Sequence, residues 1–377
     1  MRFVFVSTMF GYPWGGSEEL WSKAALRLYE SSHSVAASVA FWPQLSTQVT
    51  DLAERGISLR VRPSMHASLP IRVWRRITCS QARECEWLRR QNPDLVVISQ
   101  GANWDGLPWM KFCQTVGIPF LAVVQSNSDP WWPHDDSRVE FVDAYRAARK
   151  VFCVSRHNLQ LLEFQLGEAL RNGTVVWNPY NVSRNQQPTW VTENGARKLA
   201  CVGRLEPAAK GQDLLLSVLA CPQWRNRALE VNFYGAGPFE GSLRRLAEHL
   251  QLRNVRFCGH VADVHGIWRQ NHMLVLPSRC EGLPLALVEA MLCARPAVVT
   301  DVGGNAELCV DGETGFVAAA PAVSILEQTL ERAWNHRREW QSMGAAARTR
   351  AERLIPSDPI GDFCREILNC ASFSQAV

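Results

Sequence analysis

The sequence predicts an α/β protein built from two doubly wound parallel-sheet domains. Short apolar runs recur along the chain and alternate with stretches of helical apolar spacing, the rhythm of βαβ units. Glycine-rich turns follow several of these runs, as tight strand-to-helix connections require. At 377 residues the chain is long enough for two domains, each with its own core.

The first run, Arg2-Phe-Val-Phe-Val-Ser-Thr, reads as a buried strand. It lacks the apolar length and small-residue cleavage site of a signal peptide, and a glycine-rich loop follows at once. In that loop Gly15 and Gly16 precede Ser17, which is expected to cap a helix with apolar positions at Leu20, Ala24 and Leu28. Glu18 and Glu19 suit the positive end of its dipole. Strands are then expected from Asp94 to Ile98, Phe120 to Val124, Val151 to Val154 and Thr174 to Trp177. Asn181 to Gly195 is polar, carries Pro188 and Asn194-Gly195, and reads as a linker. The domains therefore span 1–190 and 191–357. The remaining stretch is 358–377, and a helical apolar pattern runs from Pro356 to Leu368.

The second half holds the sharpest chemical signal, the carboxylates of Glu281-Gly-Leu-Pro-Leu-Ala-Leu-Val-Glu289. Glu281 follows the apolar run Met273 to Pro277, in a turn. Pro284 suits a first helical position, which puts Glu289 about two turns into the helix. The start of such a helix offers unpaired N–H groups and a positive dipole end, a site for a diphosphate. One acid then stands beside the anion, and the other faces the hydroxyls of the sugar or ribose that the phosphates carry. A second turn, Gly303-Gly304, follows the strand Ala297 to Thr300 and leads into Asn305-Ala-Glu307.

Around this pair the chain reads Val255-Arg-Phe-Cys-Gly259, Val275-Leu-Pro277-Ser278, Arg295-Pro296 to Gly303-Gly304, and Asp311-Gly-Glu-Thr-Gly315. Upstream stand Gly203-Arg204-Leu-Glu206 with Lys210-Gly211, and Phe233-Tyr-Gly235-Ala-Gly237-Pro238. In this order, over residues 199 to 318, the motifs resemble the donor domain of retaining family 4 glycosyltransferases, the glycosyl transferases group 1. The resemblance implies the GT-B fold, two Rossmann-like domains facing across a cleft. It implies transfer of a sugar from a nucleoside-diphosphate sugar to a carbohydrate or lipid-linked acceptor, as in polysaccharide biosynthesis. By the same resemblance Arg204 and Lys210 hold the diphosphate, with no metal or other cofactor. Glu281 takes the transferred sugar, Glu289 the ribose, and the backbone of Gly282, Leu283, Pro284 and Leu285 the phosphate. Gly235 and Gly237 belong to the donor site. Gly15 and Gly16 are implied to face the donor phosphates and the acceptor, and the C-terminal helix to cross back to the first domain.

The chain departs from that family at one place. Many members carry a histidine just after the fourth strand, where this sequence reads Gln125-Ser126-Asn127-Ser128-Asp129. Ser126 and Asn127 are the expected contacts to the donor sugar there, and Asp129 to an acceptor; His134 reads as a loop histidine. The departure motivates one alternative, a non-catalytic protein that binds nucleotide sugars. A nucleotide-sugar 2-epimerase of the same fold is another.

Composition narrows the classes. An apolar fraction of 47% is ordinary for a globular protein, and no apolar stretch is long enough to span a bilayer. Twelve cysteines show no CxxC spacing and read as reduced apolar fillers in a cytoplasmic protein. The net charge is +4, and the whole excess lies in residues 1–190. Arg72, Arg75, Arg76, Arg83, Arg89 and Arg90 cluster there, opposed by Glu84 and Glu86 and interleaved with Trp74 and Trp87. That stretch reads as a solvated helix face, a peripheral contact with the anionic inner face of a membrane, or a seat for a phosphorylated acceptor. No recognised module supports nucleic-acid binding. Fifteen tryptophans are many; Trp14, Trp104, Trp109, Trp131 and Trp132 are placed in loops, with rings suited to stacking on sugars.

Overall fold

The computed structural model describes residues 1–9, 11–42, 46–62, 83–186, 189–191 and 195–372. The chain divides into two compact units: Met1–Pro179 joined by the residues from Asp358 on, and Tyr180–Ser357.

The first unit is built on seven strands. They are β1 (Arg2–Ser7), β2 (Ser34–Ala40), β3 (Ser58–Arg62), β4 (Leu95–Gln100), β5 (Phe120–Val124), β6 (Lys150–Cys153) and β7 (Gly173–Val175). Their order in the sheet is β3-β2-β1-β4-β5-β6-β7, and every pairing is parallel. Because the winding reverses between β1 and β4, their carboxyl ends border the natural ligand crevice of such a sheet. The central strands are apolar on both faces because helices cover both: β4 and β5 are buried throughout. Val4, Val6, Ile98, Phe120 and Tyr145 lie in the core on one side. On the other, the helix Pro359–Ser372 lies along the helix Gly16–Glu30, and the Cys364 thiol points at the Ala24 carbonyl at 3.8 Å. Phe363 meets Phe152 edge to face at 5.4 Å, and Arg27 pairs with Asp358 at 2.6 Å.

The second unit repeats the plan with β8 (Arg197–Val202), β9 (Leu229–Tyr234), β10 (Val255–Gly259), β11 (Met273–Leu276), β12 (Ala297–Thr300) and β13 (Gly315–Ala318). The order is β10-β9-β8-β11-β12-β13, again parallel, with the reversal between β8 and β11. The two doubly wound parallel sheets are thus as expected.

Some expectations shift. The linker reading puts the boundary at 190, whereas residues from Tyr180 belong to the second unit. Asn181 bonds to Glu289 there, and the Arg184 guanidinium donates to the Ile355 carbonyl. Pro188 and Asn194 lie outside the described residues, as do Arg72, Arg75, Arg76 and Trp74. Of the remaining arginine-rich stretch, Leu88 and Glu84 are buried, and Glu84 is bonded to Arg60 at 2.9 Å. Trp109 is a helical core residue at 8% exposure, not a loop residue; Trp104 and Trp132 are exposed. Cys153, Cys201 and Cys293 are buried free thiols; burial raises all three pKa values, Cys201 and Cys293 to about 12. Among the described residues no helix is long and apolar enough to cross a membrane.

Candidate functional site

The carboxyl edge of the second sheet gathers the charged residues singled out in the sequence. β8 runs into Gly203 and Arg204, and one helical turn, Pro207–Lys210, follows. It ends at Gly211, which must be glycine: its φ is +63°, and a Cβ there would stand 1.9 Å from the Pro277 carbonyl oxygen. This close approach brings the turn after β8 against the turn after β11. The Ala209 carbonyl accepts from the backbone N–H groups of Arg279 and Cys280, at 2.8 and 3.1 Å. Arg279 then forks onto both oxygens of Asp213, at 2.7 and 2.8 Å.

Lys210 and Glu281 meet in the middle. The ammonium stands 2.7 Å from Glu281 Oε1, which also accepts from Ser278 Oγ at 2.7 Å. The carboxylate is 4% exposed. Two further bonds fix its loop: Thr300 Oγ1 donates to the Ser278 carbonyl at 2.6 Å, and the Gly304 N–H to the Gly282 carbonyl at 2.7 Å. Gly303, at φ +56°, lies so close that a Cβ would come within 2.3 Å of the Glu281 carbonyl oxygen. Arg204 lies nearby on the same edge, held by Glu206 at 3.1 Å, while its carbonyl accepts from Gln212 at 2.7 Å. Gly235 and Gly237 follow β9 and press on the backbone of Gly203 and Leu205.

Two expectations are corrected here. Pro284 is the residue before the helix Leu285–Leu292, with ψ at 123°, so it caps the helix from outside instead of opening it. Glu289 is therefore only about one turn in, and its Oε1 accepts from both the backbone N–H and the side-chain amide of Asn181, at 3.0 Å each. Gly282 and Leu283 are buried in the turn before the cap, and Leu285 is the first helical residue. In the first turn the N–H groups of Leu287 and Val288 donate to the Pro284 carbonyl, at 3.1 and 3.4 Å, which leaves those of Leu285 and Ala286 without an acceptor within the helix.

The first unit's candidates fall on its own sheet edge. Gly15 precedes the helix and Gly16 begins it; Ser17 is already helical and caps nothing. Gly15 is extended, at φ −163°, a conformation open to any residue. After β5, Ser126 is half-buried, Asn127 is buried and Asp129 exposed. His134 sits on the surface beside Asp136 at 3.4 Å.

Where the histidine is absent, the chain holds an amide pair that the sequence reading passed over. Gln125, after β5, accepts from the Asn178 side chain, after β7, at 2.8 Å. Both are buried, and Gln125 Nε2 and Asn178 Oδ1 have no partner. Asn178-Pro179 was the available signal, a polar residue fixed at a strand end. Among the described residues no cluster of His, Cys, Asp or Glu could hold a metal ion.

Comparison with known proteins meets this geometry where it is densest. Residues 196–336 match the family Glycosyl transferases group 1. The fold is GT-B. Anabaena Alr3699/HepE, in complex with UDP-glucose, aligns over 98% of this chain and 99% of its own at a TM-score of 0.75. The outer core galactosyltransferase WaaB aligns over the whole of both chains at 0.70. Each is 18% identical, so these two likenesses establish the GT-B fold alone. In sequence, the D-rhamnosyltransferase WbpZ of Pseudomonas aeruginosa is 29% identical over 44% of this chain and 43% of its own. The lipopolysaccharide core mannosyltransferase LpsB of Rhizobium meliloti is 32% identical over 39% and 46%. The chain spans about half the length of the curated relatives it matches.

Proposed function

We propose that this protein moves a sugar, with retention of configuration, from a nucleoside-diphosphate sugar to a hydroxyl of a glycan or lipid-linked acceptor, in the manner of family 4. The observation that carries the reading is the Lys210–Glu281 pair beside the first turn of Leu285–Leu292. It presents a cation and a hydrogen-bond acceptor side by side, matching a diphosphate joined to a sugar. The HepE complex with UDP-glucose supports uracil as the base.

In this reading Arg204 and Lys210 neutralise the diphosphate, so no metal is needed, and Gly282, Leu283 and Leu285 supply backbone N–H groups, Pro284 having none. Glu281 orients the sugar and Glu289 the ribose. As the C1–phosphate bond breaks, negative charge grows on the departing oxygen, and these cations stabilise it. The acceptor oxygen bonds to C1 from the same face and gives its proton to that phosphate oxygen. Gly15, Gly16, Ser126, Asn127 and Asp129 remain candidate sugar contacts on the first unit's own sheet edge, and the arginine-rich stretch of residues 72–90 rests on an anionic membrane.

Calorimetric titration with UDP, UDP-glucose and other nucleotide sugars tests the donor site. Micromolar binding that Lys210→Ala and Arg204→Ala each abolish is expected; binding that survives both overturns it. The Gln125–Asn178 pair favours a second reading, a nucleotide-sugar binder without turnover, because neutral amides replace an ionisable ring. Release of UDP from a bound donor on adding an acceptor would exclude that reading.

A further inference from the structure

Asn181 makes two contacts in the candidate donor site to which nothing above gives a purpose. It is an exposed residue, 108 positions from Glu289 in the chain, yet it donates to Glu289 Oε1 twice, at 3.0 Å each. One donor is its backbone N–H and the other its side-chain amide. Glu289 itself is 4% exposed. A carboxylate oxygen has two lone pairs, so these donors saturate Oε1 and direct a ligand hydroxyl to Oε2.

The segment that carries Asn181 is pinned on both sides. The Ser183 N–H donates to His265 Nε2 at 2.8 Å, and the Val182 side chain beside it is buried. Tyr180 OH donates to the Pro356 carbonyl at 3.3 Å and accepts from Arg184 Nε at 2.7 Å. Arg348 holds the Arg184 carbonyl at 2.6 Å. The backbone donor therefore cannot leave Glu289 without undoing these contacts. Asn181 is a fixture of the site, not a plug that a ligand lifts away.

We propose that Asn181 is a positioning residue for the donor: it sets the Glu289 carboxylate, and thereby how strongly the protein prefers a ribose diol to a deoxygenated sugar. The proposal rests on the transferase reading, which gives Glu289 the ribose. A glutamate side chain turns about several bonds, and freezing them as a ligand arrives opposes binding. Two donors on one oxygen select the orientation beforehand. Aspartate at this position would instead set a second negative charge against Glu289.

The test is calorimetric. UDP, GDP and ADP are screened, and the tightest is compared with its 2′,3′-dideoxy form on the parent, Glu289→Gln, Asn181→Ala and Asn181→Leu. Both ligands are read on the same sample, so partial unfolding of a variant leaves the ratio of affinities unchanged. Asn181→Leu also keeps most of the side-chain bulk. The parent should prefer the diol at least about tenfold, and Glu289→Gln should lose that preference. Each Asn181 variant should bind the diol about tenfold more weakly and the dideoxy form as the parent does. Equal weakening of both ligands would mark a structural role only and overturn the proposal, as would tighter diol binding, the behaviour of a plug. A preference lost in Glu289→Gln but intact in the Asn181 variants overturns the proposal alone. A parent without any preference removes the ribose from Glu289, and one that binds no diphosphate removes the donor site; either result takes the proposal with it.

Discussion

Lys210 and Glu281, drawn from turns 71 residues apart, share a 2.7 Å ion pair whose acidic half is buried. Lys210→Met leaves that carboxylate without its cation and should cost about 2–3 kcal/mol, measured by urea denaturation. The double variant Lys210→Met/Glu281→Gln should recover most of that loss, yet still fail to bind a nucleotide diphosphate. Recovery of binding along with stability would show that the pair is structural only.

Gly211 is the contact point between the two turns that form this pair. Gly211→Ala meets the Pro277 carbonyl and needs a left-handed backbone, so a loss above about 2 kcal/mol is expected. Donor affinity should fall with it. A variant as stable as the parent would refute the close approach.

The pH dependence of stability follows from Glu18. Burial raises its pKa to about 7 in the folded chain, against 4.5 for an exposed glutamate. The stability gained from its protonated form is full below pH 4.5 and is lost as the pH rises through 7. Glu18→Gln removes that dependence and should be more stable than the parent above pH 7, by an amount on the order of 2–3 kcal/mol. Asp105, likewise raised to about 7 by burial, leaves a residual slope in the variant. Parallel stability–pH curves for the two proteins would contradict this.

Asn181 donates its backbone N–H and its side-chain amide to the same Glu289 oxygen. Asn181→Asp sets a second carboxylate against the first and should cost about 1–3 kcal/mol at pH 8, much less at pH 4 where one of them is protonated. Melting at the two pH values decides it.

The last helix is held by its apolar face. Phe363→Ala, at a fully buried site, should cost about 3–5 kcal/mol, whereas Arg27→Ala breaks a half-exposed ion pair and should cost under about 1 kcal/mol. The reverse order in denaturant midpoints would overturn this account.

The fold was legible where a strand is buried on both faces. Phe120 to Val124 and Ala297 to Thr300 are unbroken apolar runs, and both are strands at those residues. β2, Ser34–Ala40, escaped notice because its inward residues are mostly alanine and serine, whose packing is set by neighbours and not by bulk. Glu18 reads locally as a surface acid at a helix start, and only the fold brings Ser7 to it. The charged residues of the second unit were recognisable one by one. That Lys210 and Glu281 bind each other, and that Asn181 occupies Glu289, depends on turns meeting in space, which no local pattern records.

The first unit is completed only by the helix Pro359–Ser372, after the whole of Tyr180–Ser357 has intervened. During synthesis, the second unit is therefore free to fold as one uninterrupted stretch, while the first waits with the surface beneath Phe363 and Ile367 uncovered.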